Sequence, residues 1–229
     1  LESLASGEAV LTDEEKELGV ALLDLGGGTT DLAIFSQNNI KHTFVLALGG
    51  NNLTNDIAIG LRAPHAEAEK IKKKYGSCIA QNINADETIE VPGMGGREPR
   101  KLPRQILGEI LEPRMEEIFQ LVRREIIRSG MENTIPSGVV ITGGTALLEG
   151  VNEIAESIFN LPCRIGKPRA ITGLVDVVNN PMYATGVGLV LYGFSQSSIR
   201  ATSRFRIRDD SIFRRVKQRM RDWFYGEFE

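Results

Sequence analysis

The sequence has few aromatic, cysteine and histidine residues, and it lacks any long apolar run. Aromatic residues make up 6% of the 229 residues, and there are two cysteines and two histidines. Cys78 and Cys163 form no metal-binding or redox motif, which fits a reducing compartment. No apolar run approaches the ~18 residues that a membrane-spanning helix needs. The net charge of −3 excludes a globally basic nucleic-acid-binding protein.

The chain begins at Leu1, and no charged segment or cleavage site follows it. No signal peptide is visible, and we expect the chain to begin partway through a longer protein. Charge is unevenly distributed along it. From Arg200 onward there are nine basic and five acidic residues, a net charge of +4, whereas the preceding residues carry −7. An acidic body with a basic, aromatic tail suggests a different partner for each part.

The body has the alternating pattern of an α/β protein. Short apolar runs at 19–25, 32–35, 43–48 and 139–142 predict strands, with a hairpin turn at 37–39. Helical periodicity is visible at 1–17, interrupted by a polar break at 12–15, and at 53–61, 66–75, 102–129, 148–159 and 182–194. The last of these carries a Gly-x-Gly that suggests close packing.

Two strands end in glycines followed by hydroxyl residues. The first is Asp24-Leu25-Gly26-Gly27-Gly28-Thr29-Thr30-Asp31. Its glycines let backbone N–H groups approach an anion, and Asp24 would face a phosphate only through a divalent cation or its water. The second is the run 139–148, where Gly143, Gly144 and Thr145 precede a predicted helix. The alternative for the first run is an ordinary glycine-rich hairpin loop. Together the two predict a two-sided nucleotide clamp.

These two runs resemble the phosphate-2 and adenosine motifs of the actin and heat-shock chaperone ATPase superfamily. Within it, the sequence is similar to the FtsA family of bacterial cell-division proteins. The similarity covers essentially the whole chain, and includes the stretches 4–12, 17–20, 91–97, 112–114, 164–166 and 171–174 and the basic tail. The resemblance implies the back half of an actin-like, ribonuclease H-like α/β ATPase fold, without its first phosphate loop and extra subdomain.

The resemblance also implies a subdomain organisation. It comprises the end of a first subdomain at 1–18, a nucleotide-binding subdomain IIA at 19–60 and 113–176, a partner-binding subdomain IIB at 61–112, a return helix at 177–194, a linker at 195–210 and an amphipathic membrane-targeting helix at 211–229.

ATP and Mg²⁺ are the ligands that the resemblance implies. Asp24 would orient Mg²⁺ through water, and Glu2 corresponds to a water-activating glutamate, although Ser3 replaces the proline that follows it in relatives. The nucleotide contacts would be Gly26, Gly27, Gly28 and Thr29 at the β- and γ-phosphates, Gly143, Gly144, Thr145 and Ala146 under the adenosine, and Glu69 and Lys70 at the ribose and adenine. The alternative for 68–72 is a charged, solvated helix face. Without the first phosphate loop, this part alone should bind ATP weakly.

A basic, proline-interrupted segment at 97–104, with Arg114 ten residues later, predicts a second site. By resemblance it belongs to the subdomain that binds the acidic C-terminal peptide of the tubulin-like protein FtsZ. The guanidinium groups of Arg100, Arg104 and Arg114 would suit its carboxylates. The alternative is solvated surface charge.

The tail from Ser211 to Glu229 has the pattern of an amphipathic helix. Its apolar face would contain Ile212, Phe213, Val216, Met220, Trp223 and Phe224, flanked by five basic residues. This predicts a helix lying at an anionic membrane surface. The alternative is a helix docked on the body or on a partner protein.

Two functions compete at this point. One is an actin-like adaptor that binds ATP, polymerises, holds the FtsZ ring to the cytoplasmic face of the bacterial inner membrane at the division septum as a peripheral protein, and helps to recruit the other proteins of the divisome. Such a protein would be at most a weak ATPase. The other is a soluble sugar-kinase-like or chaperone-like enzyme of the same superfamily. The amphipathic tail favours the adaptor.

Overall fold

The structure, a computed structural model, describes residues 2–93, 98–169 and 178–204, with side chains through residue 194. Its contacts divide the chain into two units, Leu1–Leu191 and Tyr192–Glu229. The helices and strands below belong to the first unit, except that the last helix continues from it to Arg204. No helix of these described ranges is long and apolar enough to cross a membrane.

A five-stranded mixed sheet forms the centre of the first unit. Its strands, in chain order, are β1 (Val20–Leu25), β2 (Thr30–Ser36), β3 (Asn39–Leu46), β6 (Val139–Thr142) and β7 (Cys163–Ile165), and β4 (Thr88–Val91) and β5 (Arg100–Pro103) pair separately as an antiparallel ribbon. The order across the sheet is β3-β2-β1-β6-β7. The first three strands are antiparallel neighbours, whereas β1, β6 and β7 run parallel.

Helices cover both faces of this sheet. They are α1 (Glu2–Val10), α2 (Asp13–Leu18), α3 (Gly50–Leu61), α4 (His65–Tyr75), α5 (Gln105–Arg128), α6 (Val151–Phe159) and α7 (Ala184–Arg204). Every residue of β1 is buried. Since side chains alternate along a strand, Ala21, Leu23 and Leu25 join the core beneath α3 to α6, while Val20 and Leu22 join a smaller core with α1 and Ala184.

The N-terminal segment differs from its prediction in one respect. The predicted break is present at Leu11 and Thr12, between α1 and α2, but the rest of the polar run 12–15 forms the first turn of α2. Thr12 Oγ1 accepts a hydrogen bond from the Glu15 N–H, and Glu15 Oε2 accepts one from the Thr12 N–H. This reciprocal capping box satisfies two donors at the helix start, which explains why four polar residues begin a helix.

Two helices cross boundaries of the predicted organisation. α5 is continuous across the predicted boundary at 112/113 and includes Pro113. The backbone of the predicted linker 195–210 is helical through Arg204, and 205–210 lie outside the described residues. The hairpin turn at 37–39 is confirmed, because Gln37 and Asn38 adopt φ of 54° and 59°.

Candidate functional site

The glycine run after β1 forms a loop in which carbonyl groups accept hydrogen bonds from the rest of the chain, whereas three N–H groups donate to no described residue. The Gly26 carbonyl accepts hydrogen bonds from the Gly50 N–H at 2.9 Å and from Thr145 Oγ1 at 3.0 Å, and the Gly27 carbonyl accepts from the Asn51 N–H at 2.7 Å. These bonds tie the loop to the start of α3. The N–H groups of Gly27, Gly28 and Thr29 donate to no residue in the described ranges. Three consecutive unpaired N–H groups are suited to binding an anion.

The second glycine run brings the end of β6 against the end of β1. Gly143 has a φ of 90°, and a Cβ there would lie 2.5 Å from Asp24 Oδ1 and from the Leu25 carbonyl oxygen. Only glycine therefore fits this position. The residues that follow form a 3-10 turn, Gly144–Leu147, and α6 begins later, at Val151. The helix predicted from 148 thus starts three residues further on.

Asp24 is buried at this junction, with 9% of its surface exposed. Its Oδ2 accepts hydrogen bonds from Ser6 Oγ at 2.6 Å and from Thr185 Oγ1 at 3.0 Å. Its Oδ1 accepts none from the described residues. In the same part of the chain, no group of three or more His, Cys, Asp or Glu side chains could hold a metal ion. One carboxylate with a free oxygen suits a Mg²⁺ ion that keeps most of its water.

A cavity of about 480 Å³ lies beside these loops. It is lined by Gly27, Gly50, Asn51, Glu69, Lys72, Lys73, Gly144, Thr145, Leu147, Leu148 and Met182. Its size lies within the range typical of small-molecule sites, and it combines apolar side chains with a few polar ones. Gly27 of the glycine loop and Glu69, Lys72 and Lys73 of α4 are thus brought to one cavity.

The α4 side of the cavity carries a buried charge network. Lys72 Nζ donates to the Gly50 carbonyl and to Thr54 Oγ1, each at 2.7 Å, and lies 2.8 Å from Glu69 Oε2. Thr54 Oγ1 also donates to Glu69. Burial alone would raise the pKa of Glu69, but the hydrogen bonds from Lys72 and Thr54 and the charge of Lys72 outweigh it and lower that pKa to about 2. Glu69 is therefore a fixed negative charge at neutral pH.

The structure brings four of the predicted nucleotide contacts to the cavity wall, namely Gly27, Glu69, Gly144 and Thr145. Three others lie next to these lining residues. The Gly26 carbonyl accepts a hydrogen bond from the Gly50 N–H, Gly143 packs closely against Asp24, and Gly28 is exposed in the same loop as Gly27. Ala146 is buried. The Thr29 hydroxyl donates to Asp31, so only its N–H is free.

Lys70 lies away from the cavity. Its side chain is 73% exposed, pairs with Glu67, and does not line the cavity. Lys72 and Lys73 take its place, because residues three and four positions after Glu69 share its face of α4 whereas the next residue does not. That spacing could have identified both lysines from the sequence. The hydroxyl of Thr30 donates to the Leu48 carbonyl and is buried.

Gly50 and Asn51 are further lining residues that the sequence interpretation missed. A signal for them was present, because Gly49 and Gly50 follow β3 as a third strand-Gly-Gly element. Glu2, expected to activate water, is exposed at the first position of α1. It lies four residues before Ser6 and hence on the same side of that helix.

The three arginines expected to bind an acidic peptide each have partners within the chain. Arg100 donates to the Leu61 carbonyl, and Arg104 to the Tyr75 carbonyl, Glu87 and Glu149. Arg114 donates to Asp56 at 2.6 Å and to Glu117. An acidic ligand would therefore have to exchange with these internal contacts. The residues expected at a membrane, Ile212, Phe213, Val216, Met220, Trp223 and Phe224, lie outside the described ranges.

Known structures share this fold at low sequence identity. MreB5 of Spiroplasma citri bound to AMPPNP superposes with a TM-score of 0.69 at 21% identity, over 88% of this chain and 60% of that one. The PilM-PilN type IV pilus biogenesis complex gives a TM-score of 0.62 at 19% identity, over 84% of this chain and 50% of that one. The predicted actin-like ATPase fold is confirmed.

Sequence relatives are closer. Cell division protein FtsA of Pseudomonas aeruginosa is 49% identical over 231 residues, covering 100% of this chain and 55% of that protein. The protein of the same name from Escherichia coli K12 is 39% identical over 232 residues, covering 98% and 55%. The chain thus spans about half the length of the curated relatives it matches. The sequence profile described as cell division protein FtsA matches residues 21–188. With most of its body inside that profile, the chain belongs to the FtsA family of cell division proteins.

Proposed function

We propose that this chain is the nucleotide-binding and partner-binding half of an actin-like adaptor of cell division. The complete protein binds ATP with Mg²⁺, assembles with copies of itself, binds the C-terminal peptide of FtsZ, and attaches to the cytoplasmic face of the inner membrane at the septum. Its work in the divisome is binding and assembly, with at most slow ATP hydrolysis.

One observation carries the nucleotide part of this proposal. The N–H groups of Gly27, Gly28 and Thr29 donate to none of the described residues, and Gly27 lines a cavity that also presents buried Lys72 paired with half-buried Glu69. Backbone donors of this kind suit phosphate oxygens, and a fixed carboxylate suits the hydroxyl donors of a ribose. A structure of a relative with this fold, MreB5 of Spiroplasma citri, holds AMPPNP.

Each site residue then has a defined task. The glycine loop holds the β- and γ-phosphates through its N–H groups, while Gly144 and Thr145 pass under the adenosine. Glu69 binds the ribose, with Lys72 holding its carboxylate in place. Asp24 would hold Mg²⁺ through its water, and Glu2 would activate water in a slow hydrolysis. When bound, Mg²⁺ neutralises phosphate charge.

The partner-binding and membrane-binding tasks fall on other parts of the chain. Arg100, Arg104 and Arg114 would exchange internal partners for carboxylates of the acidic peptide. The sequence from Ser211 to Glu229 would lie at the membrane with its aromatic residues in the headgroup region. A single tail of this kind binds reversibly, and a polymer carrying many tails binds more tightly.

The test is a calorimetric titration of the full-length protein with Mg-ATP. We expect Asp24→Ala and Gly27→Val each to weaken binding and to preserve the fold. A Cβ at Gly27 would lie 3.6 Å from Asn51 Oδ1, an ordinary contact, so the valine side chain can be accommodated while it fills the cavity. Asp86→Ala, in an exposed loop, is the control and should bind as the unmodified protein does. Unchanged affinity in both site variants would contradict the assignment.

A further inference from the structure

We propose that Ser6 and Thr185 are positioning residues for Asp24, and that they set how strongly nucleotide binding depends on the divalent cation. This inference rests on the proposed function, because it concerns the same site. Ser6 lies in α1 and Thr185 in the first turn of α7, so two helices from opposite ends of the body's chain meet at one carboxylate of β1.

The three side chains form a closed triangle of hydrogen bonds. Ser6 Oγ donates to Asp24 Oδ2 at 2.6 Å, Thr185 Oγ1 donates to the same oxygen at 3.0 Å, and the two hydroxyl oxygens are 2.9 Å apart. Each hydroxyl has one proton. Since Ser6 donates at the shorter distance, the single hydroxyl proton of Thr185 is shared between two acceptors, Oδ2 of Asp24 and Oγ of Ser6. Ser6 therefore makes the stronger bond.

Both hydrogen bonds to Asp24 go to Oδ2, and Oδ1 accepts none from the described residues. Buried helical serines commonly bond back to a carbonyl of the preceding turn. Ser6 is fully buried, and its hydroxyl is directed to Asp24 instead. With Oδ2 held by two hydroxyls, the carboxylate cannot rotate freely, and Oδ1 remains the acceptor available to metal-bound water. A carboxylate fixed in this way loses less rotational freedom on binding, which strengthens an interaction through water.

The phosphate-binding N–H groups are not part of the triangle. Their positions depend on the bonds from Gly50, Asn51 and Thr145 to the glycine loop. Removal of a hydroxyl at Ser6 or Thr185 should therefore reduce the part of the ATP affinity that depends on the cation and leave unchanged the part that depends on the glycine loop. A merely structural role would instead lower affinity with and without the metal.

The experiment compares ATP affinity of the full-length protein in Mg²⁺ and in EDTA. The variants are Ser6→Ala, Thr185→Val and Thr185→Ser, with Ser3→Ala as the matched control, because Ser3 is a buried serine of the same helix without a side-chain hydrogen bond to the described residues. Losing one hydrogen bond to a charged group predicts a loss of about tenfold to a hundredfold in Mg-ATP affinity for Ser6→Ala. The loss should be smaller for Thr185→Val and absent for Thr185→Ser.

The supporting result is a loss confined to Mg²⁺, with affinity in EDTA unchanged and with rescue by Thr185→Ser. Equal losses in Mg²⁺ and EDTA, or no loss at all, overturn the positioning role while the proposed function stands. Failure of the unmodified protein to bind ATP in a Mg²⁺-dependent way overturns both. If Ser6→Ala does not fold, the comparison of Thr185→Val with Thr185→Ser tests the positioning role by itself.

Discussion

The ionisation of Glu69 is strongly affected by its neighbours in the structure. Its carboxylate is held by Lys72, Lys73 and Thr54, which together lower its pKa to about 2 against the opposing effect of burial. A lowered pKa stabilises the folded state above the unfolded pKa of 4.5, and this stability is lost as the pH falls from there towards 2. Acid should therefore lower the free energy of unfolding, because Glu69 takes up a proton in the unfolded chain at a higher pH than in the folded protein.

This gives a prediction for Glu69→Gln. At pH 7 the substitution should lower the free energy of unfolding by about 1 to 3 kcal/mol, because the charged hydrogen bonds are lost. At pH 3 the difference between the two proteins should fall to less than half of that value. Urea unfolding followed by circular dichroism at both pH values measures it.

Glu67→Gln is the matched control on the same helix. Among the described residues Glu67 pairs with Lys70, which is 73% exposed, so its contribution should be small at both pH values. A difference for Glu69→Gln that does not change between pH 7 and pH 3 would show that Glu69 is not held as an ion in the folded state.

At the scale of elements, the contact between α1 and α7 depends on one glycine of the Gly-x-Gly in α7. A Cβ at Gly188 would lie 1.7 Å from the Ala5 carbonyl oxygen, whereas a Cβ at Gly186 meets nothing within 4 Å. The close packing suggested by this pair in the sequence is therefore confirmed for Gly188 and not for Gly186. Substitutions at Gly188 and Gly186 therefore compare a tightly packed position with an open one in the same helix.

We expect Gly188→Ala to destabilise the protein by about 2 kcal/mol or more, because the backbones of α1 and α7 must separate. Gly186→Ala should stabilise it by up to about 1 kcal/mol, since alanine has the higher helix propensity and the site is open. Thermal unfolding of the two variants beside the unmodified protein measures the difference. Equal midpoints for both would contradict the described packing.

Elements that form from local sequence were predictable, and those that depend on distant contacts were not. β1 and β6 are short apolar runs ending in glycines, and α5 has clear helical periodicity. The start of α2 was missed because a capping box looks like a polar break when the reciprocal bonds of Thr12 and Glu15 are not considered. The replacement of a regular helix start after Gly144 by a 3-10 turn follows from packing against other loops.

The candidate site shows the same division. Asp24 and the glycines could be predicted because their spacing along the chain defines the loop. The contact of Lys72 with the Gly50 carbonyl depends on how α4 packs on α3. The hydroxyls of Ser6 and Thr185 reach Asp24 from positions 18 and 161 residues away, so no local pattern indicates them.

At the scale of the whole molecule, the internal pairs of the arginines sharpen the prediction for the FtsZ peptide. Arg114 is held by Asp56. Asp56→Asn should weaken the hold on its guanidinium, which then keeps its contact with Glu117, and should increase affinity for the acidic peptide, whereas Arg114→Glu should reduce affinity. Fluorescence anisotropy with a labelled peptide measures both, and affinity should fall as salt is added.

Arg128→Glu is the control, because Arg128 is an exposed arginine of the same helix that pairs with Glu125. It should change affinity little. If Asp56→Asn and Arg114→Glu bind the peptide as the unmodified protein does, the peptide site lies elsewhere on the molecule.

The tail gives a second prediction at this scale. Trp223 is the only tryptophan of the sequence, so its fluorescence reports on that segment. Anionic vesicles should shift its emission to the blue, because five basic residues each contribute about 1 kcal/mol near an anionic surface. Neutral vesicles should shift it much less. Trp223→Glu, or deletion from Ser211, should leave the protein in the supernatant, and sedimentation of the truncated protein with anionic vesicles would refute this role.

The central place of β1 in the sheet has a consequence for synthesis on the ribosome. One edge of β1 pairs with β2, which follows within a few residues, but the other pairs with β6, 118 residues later. At about 5–20 residues per second, that edge remains without its partner for about 6 to 24 seconds of translation. Unpaired edges of apolar strands promote aggregation. We therefore expect the nascent chain to need protection by a chaperone during that interval, until Val139 to Thr142 have emerged.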